Sequence, residues 1–423
     1  MVKLHVNRDI LLVLLSILVQ IRLAILLGHY YDERSFIDTG FLVSSGLNPY
    51  QPHLITVFSS NPNLTGINPI IGYPPLWPLL LGLIYRLSYN IVPNLFLYNF
   101  AIKVPVIASN IGLAYVTKNV MQRLGESEKK TRAAWLFLLF NPFILLTTAA
   151  WGEFDTLIAL LCVASLYLLS KGMIGKSALL LSLSIVLKPI SFPLVGLPLL
   201  FSPTKNWRKI LTYILIFAVI MLTLWFLLFN LLGWMAPSSA NEVTSYFRVA
   251  GGMTVFNVVE IFKNTTTLPT NLDFLGYLWI PALLLGYYIV YRNPPKTFNE
   301  LAKASVGLLL IFFLTRTWLS EPNFDLVISL ALLALSFKDL NFRNFAFLWV
   351  IPLVFLFLNT SFPQLFFLVS PSIISSLAQA DRYIRSWRLI ARFIVVLILQ
   401  VFAWRLVIKM FNRKKSSDSK SLA

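Results

Sequence analysis

Side chains able to do acid–base and charge-stabilising chemistry fall into four clusters. The first is Asp32, Glu33, Arg34 and Asp38, three carboxylates and a guanidinium between positions 32 and 38. The second is Glu153 with Asp155, inside Trp151-Gly152-Glu153-Phe154-Asp155. The third is Lys188 before Pro189, and the fourth is Arg316 with Glu321, in a stretch ending Ser320-Glu321-Pro322-Asn323. A carboxylate set beside a hydroxyl can take its proton, and fixed cations can stabilise an anionic leaving group. Each cluster also has a plainer explanation. A loop carboxylate is commonly just solvated. Arg316 and Glu321 have the spacing of a local ion pair. Trp151, at the end of an apolar run, fits an interface anchor better than a contact. Lys188, between two short apolar runs, must find water or an anion.

Composition sets the surroundings. The chain has 423 residues, of which 57% are hydrophobic and 12% charged. Soluble proteins carry about 25% charged residues. Repeated continuous apolar runs suit a bilayer core of about 30 Å, and they exclude a barrel, whose strands alternate. The fold class is therefore an all-α polytopic membrane protein. A net charge of +18 suggests nucleic acid in a soluble protein. Here the basic residues sit in short loops and orient the helices by the positive-inside rule, so no nucleic-acid partner is expected.

Several chemistries lack their residues. One cysteine, Cys162, allows neither an internal disulfide nor a cysteine metal site. His5, His29 and His53 are scattered. Gly251-Gly252 alone is a weak signal, and neither a phosphate-cradling loop nor a dinucleotide fingerprint occurs. If phosphate is bound, lysine and arginine bind it. No cofactor is required and no metal site is assigned, although Glu33, Asp38 and Asp155 leave room for a divalent ion.

The elements follow in order. Lys3, Arg8 and Asp9 precede an apolar run without a cleavage signature, which reads as an uncleaved first helix over about 10–27. Arg22 lies inside it and must snorkel or pair. Residues 29–94 then form one external loop. Phe36–Ser45 is expected to be an interfacial helix, ended by Gly46 and Asn48-Pro49. Leu76–Leu87, after Pro74-Pro75, is short for a span. Leu95–Val116 is a full span, and the loop after it holds Lys118, Arg123, Lys129, Lys130 and Arg132. Placing that basic loop inside requires Leu76–Leu87 not to cross, making it a second interfacial helix.

Beyond this, Ala133–Ala150 returns outward and Thr156–Ser170 goes in. Ser177–Leu187 and Ile190–Phe201 read as two short helices meeting near the outer side at Lys188. Helices over 210–232, 274–291, a segment ending at Arg316, a segment ending at Phe337 and one ending near Asn359 follow. An external loop, 233–272, holds Glu242, Arg248 and Glu260, and a basic loop starts at Lys338. Leu365–Leu377 is open: either Arg382–Arg392 or Arg413–Lys415 lies outside. The total is about 12–13 spans. Three glycosylation sequons, at Asn63, Asn264 and Asn359, all fall in loops assigned outside.

In order and placement these residues resemble the GT-C class of integral-membrane glycosyltransferases. The resemblance is to the branch that takes mannose from polyprenyl- or dolichyl-phosphate, including the enzymes adding the first mannose to glycosylphosphatidylinositol and prokaryotic relatives. It is carried by Asp32 after the first helix, Gly46-Leu47-Asn48-Pro49-Tyr50, Tyr73-Pro74-Pro75-Leu76, Trp151-Gly152 with Asp155, Leu187-Lys188-Pro189 and Ser320-Glu321-Pro322-Asn323.

The resemblance implies a GT-C-like catalytic module over 1–209 and a variable C-terminal module over 210–423. It implies inverting transfer of a hexose, with Asp32 as general base and Glu33 and Asp38 as alternatives. Lys188 and Arg316 would bind the donor phosphate. Tyr73, Trp151, Glu153, Asp155 and Glu321 would contact substrate. The partners implied are a polyprenyl/dolichyl-phosphate sugar donor, a glycan or glycolipid acceptor and membrane lipid. The site would face the exterior or the endoplasmic reticulum lumen. A transporter or flippase of a lipid-linked sugar also accounts for the helices and for intramembrane Arg22 and Lys103. It does not account for carboxylates gathered in outer loops.

Overall fold

The structure, a computed structural model, describes residues 8–204, 206–234, 248–263, 265–334, 342–360 and 362–412. Lys3, His5, Lys205, Glu242, Asn264, Lys338 and residues 413–415 lie outside the described residues. The protein is an all-α polytopic membrane protein. Among the described residues, seven helical runs are long and apolar enough to cross a bilayer, and shorter apolar helices accompany them.

The first span is α1 (Arg8–Leu26). Its Asp9 pairs with Lys118 at 2.7 Å and Arg132 at 3.3 Å, which fixes the basic 118–132 segment at the same end as the start of α1. Helix α2 (Tyr30–Ser44) begins six residues before the expected Phe36. His29 is its N-cap residue, and Asp32 and Glu33 in its first turn suit the positive end of the helix dipole.

A two-stranded ribbon, β1 (Leu54–Ile55) with β2 (Gly66–Ile67), leads to α3 (Leu76–Leu87). Helix α3 stays on one face of the bundle. Trp77 at its start stacks on Phe154 at 4.0 Å, just before the helix that starts at Asp155, and Tyr85 near its end meets Tyr98 in the first turn of α4 (Leu95–Arg123). Both ends of α3 therefore sit at the same end of the bundle. Close packing explains why: Gly40 of α2 lies against the Leu81 carbonyl and Gly82 of α3 against Val43, so small residues let the two helices approach.

The next crossing, Glu128–Trp151, is not one regular helix. It comprises α5 (Glu128–Phe140), a break at Asn141, α6 (Pro142–Leu145) and a π-helical turn over Leu146–Trp151. Asn141 caps the new segment by accepting from Phe143 and Ile144. Helices α7 (Asp155–Ser170) and α8 (Ile174–Leu187) pack as a hairpin. Lys188-Pro189 breaks the chain into a 3₁₀ turn (Pro189–Leu194) and α9 (Leu197–Leu200). The Ser202 N–H bonds the Pro295 carbonyl at the opposite face.

Helices α10 (Trp207–Met221) and α11 (Leu228–Leu231) follow, then α12 (Val258–Lys263), α13 (Trp279–Arg292), α14 (Phe298–Thr315), α15 (Phe324–Ala334), α16 (Phe342–Asn359) and α17 (Ile373–Phe411). Gly251–Gly252 pairs with Trp318–Leu319 in parallel.

The open question at the end of the chain has an answer. Leu365–Leu377 is not a span: Phe362–Phe366 is a 3₁₀ turn, and α17, with 39 residues, is about 58 Å long, more than one crossing requires. Arg388 donates to the carbonyls of Leu358 and Asn359, and Arg392 pairs with Glu260 at 3.1 Å. Arg382–Arg392 thus lies at the face that carries α2 and α3. Arg22 points out of the bundle and is exposed. Two sequon asparagines have engaged amides: Asn63 donates to the Pro371 carbonyl and Asn359 to Glu321.

Candidate active site

The ends of α1, α2, the π turn, α7, α8 and α15 converge on one face. At the centre is Asp32. Its Oδ2 accepts from Trp151 Nε1 at 2.8 Å and lies 2.9 Å from His29 Nδ1. The His29 and Trp151 rings stack at 4.1 Å with 17° between planes. His29 Nε2 sits 3.0 Å from Thr360 Oγ1. With its proton on Nδ1 the imidazole donates to Asp32, and Nε2 accepts from the Thr360 hydroxyl. Burial opposes ionisation of Asp32, but His29, the indole N–H and Lys188 outweigh it and hold the carboxyl below its ordinary range. Trp151 is not the interface anchor its position suggested. It is 3% exposed and reaches Asp32 because the π turn and Gly152 aim it inward.

Gly152 has φ +96°, a left-handed conformation that favours glycine. A Cβ there would lie 2.7 Å from Glu33 Oε2 and 2.9 Å from Lys103 Cε. The glycine therefore both turns the chain and admits a buried ion pair, Lys103 Nζ to Glu33 Oε2 at 3.1 Å. Burial pushes the Glu33 carboxyl up to about 7 against the pull of Lys103.

Beside Asp32 lies a second polar group. Lys188 Nζ donates to Glu153 Oε2 at 2.9 Å and Asp155 Oδ2 at 2.6 Å. Tyr73 OH donates to Glu153 Oε1 at 3.0 Å, and the ammonium stands 5.2 Å from the Tyr73 ring and 5.3 Å from that of Phe154. Tyr73 is itself fixed, since Tyr50 OH donates to its carbonyl at 2.6 Å; the Gly46–Tyr50 and Tyr73–Leu76 elements thus work as one support. Burial raises Glu153, with Asp32 and Asp155 adding repulsion against the pull of Lys188. Asp325, fully buried in the first turn of α15, accepts from Thr147 Oγ1 at 2.8 Å and lies within electrostatic range of Asp155, Lys188 and Glu153. Lys188 is therefore enclosed by carboxylates. The anions its position called for are these side chains, not an open site for phosphate, the role the resemblance implied.

The structure brings Asp32, Tyr73, Trp151, Glu153, Asp155 and Lys188 together and keeps Asp38 away. Asp38 is fully buried, 3.5 Å from Arg34 Nε. Arg34 in turn donates to the carbonyls of Thr65 and Ile67, so it fastens the ribbon to α2 rather than orienting Asp32. Burial pushes the Asp38 carboxyl up to about 7 despite Arg34. The folded chain thus binds a proton that the unfolded chain releases between about pH 4 and 7, so this contribution to stability is complete below pH 4 and is lost as pH rises through 7. Asp38→Asn should flatten that stability slope and keep turnover within about 3-fold of the parent. Thermal midpoints across pH, with kcat alongside, check both parts. A loss of turnover as deep as that of Asp32→Asn would return Asp38 to the reaction.

Glu321 is buried and takes the Asn359 amide at 2.7 Å, one residue before the Thr360 that meets His29. Burial raises its carboxyl. The Arg316 guanidinium lies 4.9 Å from the Phe312 ring. Among the described residues no group of three or more His, Cys, Asp or Glu side chains has metal-ligand geometry.

A family model described as "Glycosyltransferase family 87" matches residues 71–340. The chain belongs to glycosyltransferase family 87. The protein is a membrane glycosyltransferase, with a sugar donor and a sugar acceptor as its substrates. The matched region includes Tyr73, Trp151, Glu153, Asp155, Lys188, Arg316, Glu321 and Asp325. Asp32, His29 and Glu33 precede it; Asp32 and His29 meet the matched region at Trp151 and Glu33 at Lys103.

Sequence reasoning missed His29, Thr360, Thr147 and Asp325. Asp325 had a usable signal, because an acid at the head of an otherwise apolar run marks a functional or paired position. His29 had none beyond adjacency to Asp32, and Thr360 is distant in sequence from both.

Proposed function

We propose that this glycosyltransferase moves a hexose, mannose in the first instance, from a polyprenyl- or dolichyl-phosphate carrier to a glycan or glycolipid acceptor. Transfer occurs with inversion on the outer or lumenal face, and Asp32 is the general base. The observation that carries this reading is accessibility. The Asp32 side chain is 23% exposed, whereas those of Glu33 and Asp38 are 0% exposed. Asp32 alone of the three can meet an acceptor hydroxyl. It is kept ionised and held by two donors, so its remaining lone pairs are aimed without cost at the moment of reaction.

The acceptor oxygen, deprotonated by Asp32, attacks the anomeric carbon in line, and the lipid phosphate leaves with the bonding pair. Tyr73, half-buried beside Asp32, faces the sugar, and Glu153 and Asp155, 2% and 0% exposed, brace it together with Lys188. Arg316 supplies positive charge to the departing phosphate from the same face. The sidedness rests on the basic 118–132 segment, which belongs at the cytoplasmic end, opposite the Asp32 cluster. The catalytic module is taken as 1–209, with 210–423 completing the site through Arg316, Glu321, Asp325 and Thr360.

The test is transfer itself. Purified protein in nanodiscs, given polyprenyl-phosphate-mannose and a panel of glycan and glycolipid acceptors, should release polyprenyl phosphate and form a product of inverted anomeric configuration. Retained configuration would overturn the mechanism. Use of a nucleotide sugar in place of the lipid donor would overturn the donor assignment. Movement of the intact lipid-linked sugar across a vesicle bilayer, with no transfer, would favour a flippase.

A further inference from the structure

We infer that Lys103, buried within α4, is a positioning residue for the Asp32 cluster. Its ammonium donates hydrogen bonds to the Leu27 carbonyl and, at 3.1 Å, to the Ala150 carbonyl, and it forms an ion pair with Glu33 Oε2 at 3.1 Å. These acceptors belong to three different elements: the end of α1, the π turn and the first turn of α2. Each lies next to, or two residues from, a member of the cluster. Leu27 leads through Gly28 to His29, Ala150 precedes Trp151, and Glu33 follows Asp32. One side chain beneath the site therefore ties the backbone at all three side chains that meet around the Asp32 carboxylate.

Neighbouring contacts fit that role. Asn99, one turn earlier on α4, donates to the carbonyls of Ala24 and Leu27. The Gly28 N–H bonds the Leu365 carbonyl. Lys103 is 0% exposed and Glu33 is 0% exposed, so neither meets substrate. The left-handed Gly152 leaves the channel through which the lysine chain passes. A bundle seeking only stability would fill this position with an apolar side chain, because a buried ion pair is a poor source of stability. What the ammonium adds is position: two hydrogen bonds and an ion pair from one atom that fix His29, Trp151 and Asp32 relative to one another.

This inference rests on Asp32 as the base, and a double-mutant cycle separates the two. Lys103→Met alone strands the Glu33 carboxylate and is expected to unfold more readily. Lys103→Met/Glu33→Gln removes both charges and should recover the thermal midpoint. In that double variant kcat should stay roughly 10- to 100-fold down, the loss typical of a small misplacement of catalytic groups, with donor and acceptor KM near the parent values. Placed in an Asp32→Asn background, the same pair of changes should cost nothing further, because the group it positions is already gone. Recovery of kcat together with the midpoint would overturn the inference, as would a loss that multiplies in the Asp32→Asn background. Full turnover by Asp32→Asn alone would sink the base assignment and the inference with it.

Discussion

Asp32→Asn should lower kcat by roughly 10²–10⁴-fold and leave the protein folded, with its thermal midpoint and donor KM close to those of the parent. The asparagine keeps the shape of the carboxylate, and its oxygen can still accept from Trp151 Nε1, now 2.8 Å from Asp32 Oδ2. What is lost is the proton acceptor. The measurement is single-turnover transfer of the labelled sugar, compared with melting of the detergent-solubilised protein. The pH response of the parent has a defined sign. Because His29 and Trp151 hold the Asp32 carboxyl below its ordinary range against burial, the base is ionised throughout neutral pH. Activity and the associated stability should be lost only as pH falls through that lowered value. An acidic limb centred near neutrality would place the base elsewhere, with Glu153 the first candidate because burial raises it.

Lys188→Met should act chiefly on folding, the second large effect. The ammonium is 6% exposed and bonded to Glu153 and Asp155, with Asp325 close by. Removing it leaves buried carboxylates facing one another, a change that costs about 3–5 kcal/mol when one partner of a buried pair is deleted. Expression and thermal midpoint should fall steeply. Adding Glu153→Gln and Asp155→Asn to Lys188→Met should recover the fold but not turnover. A normal midpoint with only a raised donor KM would show instead that Lys188 serves the donor phosphate.

The sequence exposes the framework more readily than the contacts. The limits of α3 were legible at Leu76 and Leu87, because Pro74-Pro75 opens the helix and Arg86-Leu87 closes an apolar run. Its confinement to one face was legible from the basic 118–132 segment. The start of α2 was not. The run 30–35 is polar, and where a helix starts there is set by the His29 cap and by the pairing of Glu33 with Lys103, partners 70 residues apart by number. Trp151 looked like an anchor because hydropathy registers how apolar a segment is, not which way its last side chain points. Lys188 and its two carboxylates could be assigned to one face by topology. Nothing local in the sequence shows that they close upon each other, since the approach of Tyr73 and Asp325 depends on packing among α3, α7, α8 and α15.

The π turn at Leu146–Trp151 gives this site a dependence on chain length as well as on side-chain identity. A π turn accommodates one more residue than an α turn, so every side chain beyond it is rotated by about 100° from where an uninterrupted α-helix would carry it. The wider turn, with its one extra residue, sets the direction in which the indole reaches Asp32. Deleting one residue from 146–150 would leave the hydropathy of the span almost untouched, yet swing Trp151 off the carboxylate. Two chains could then share His29, Asp32 and Trp151 in identical order, and only the one with the extra residue would bring them into contact.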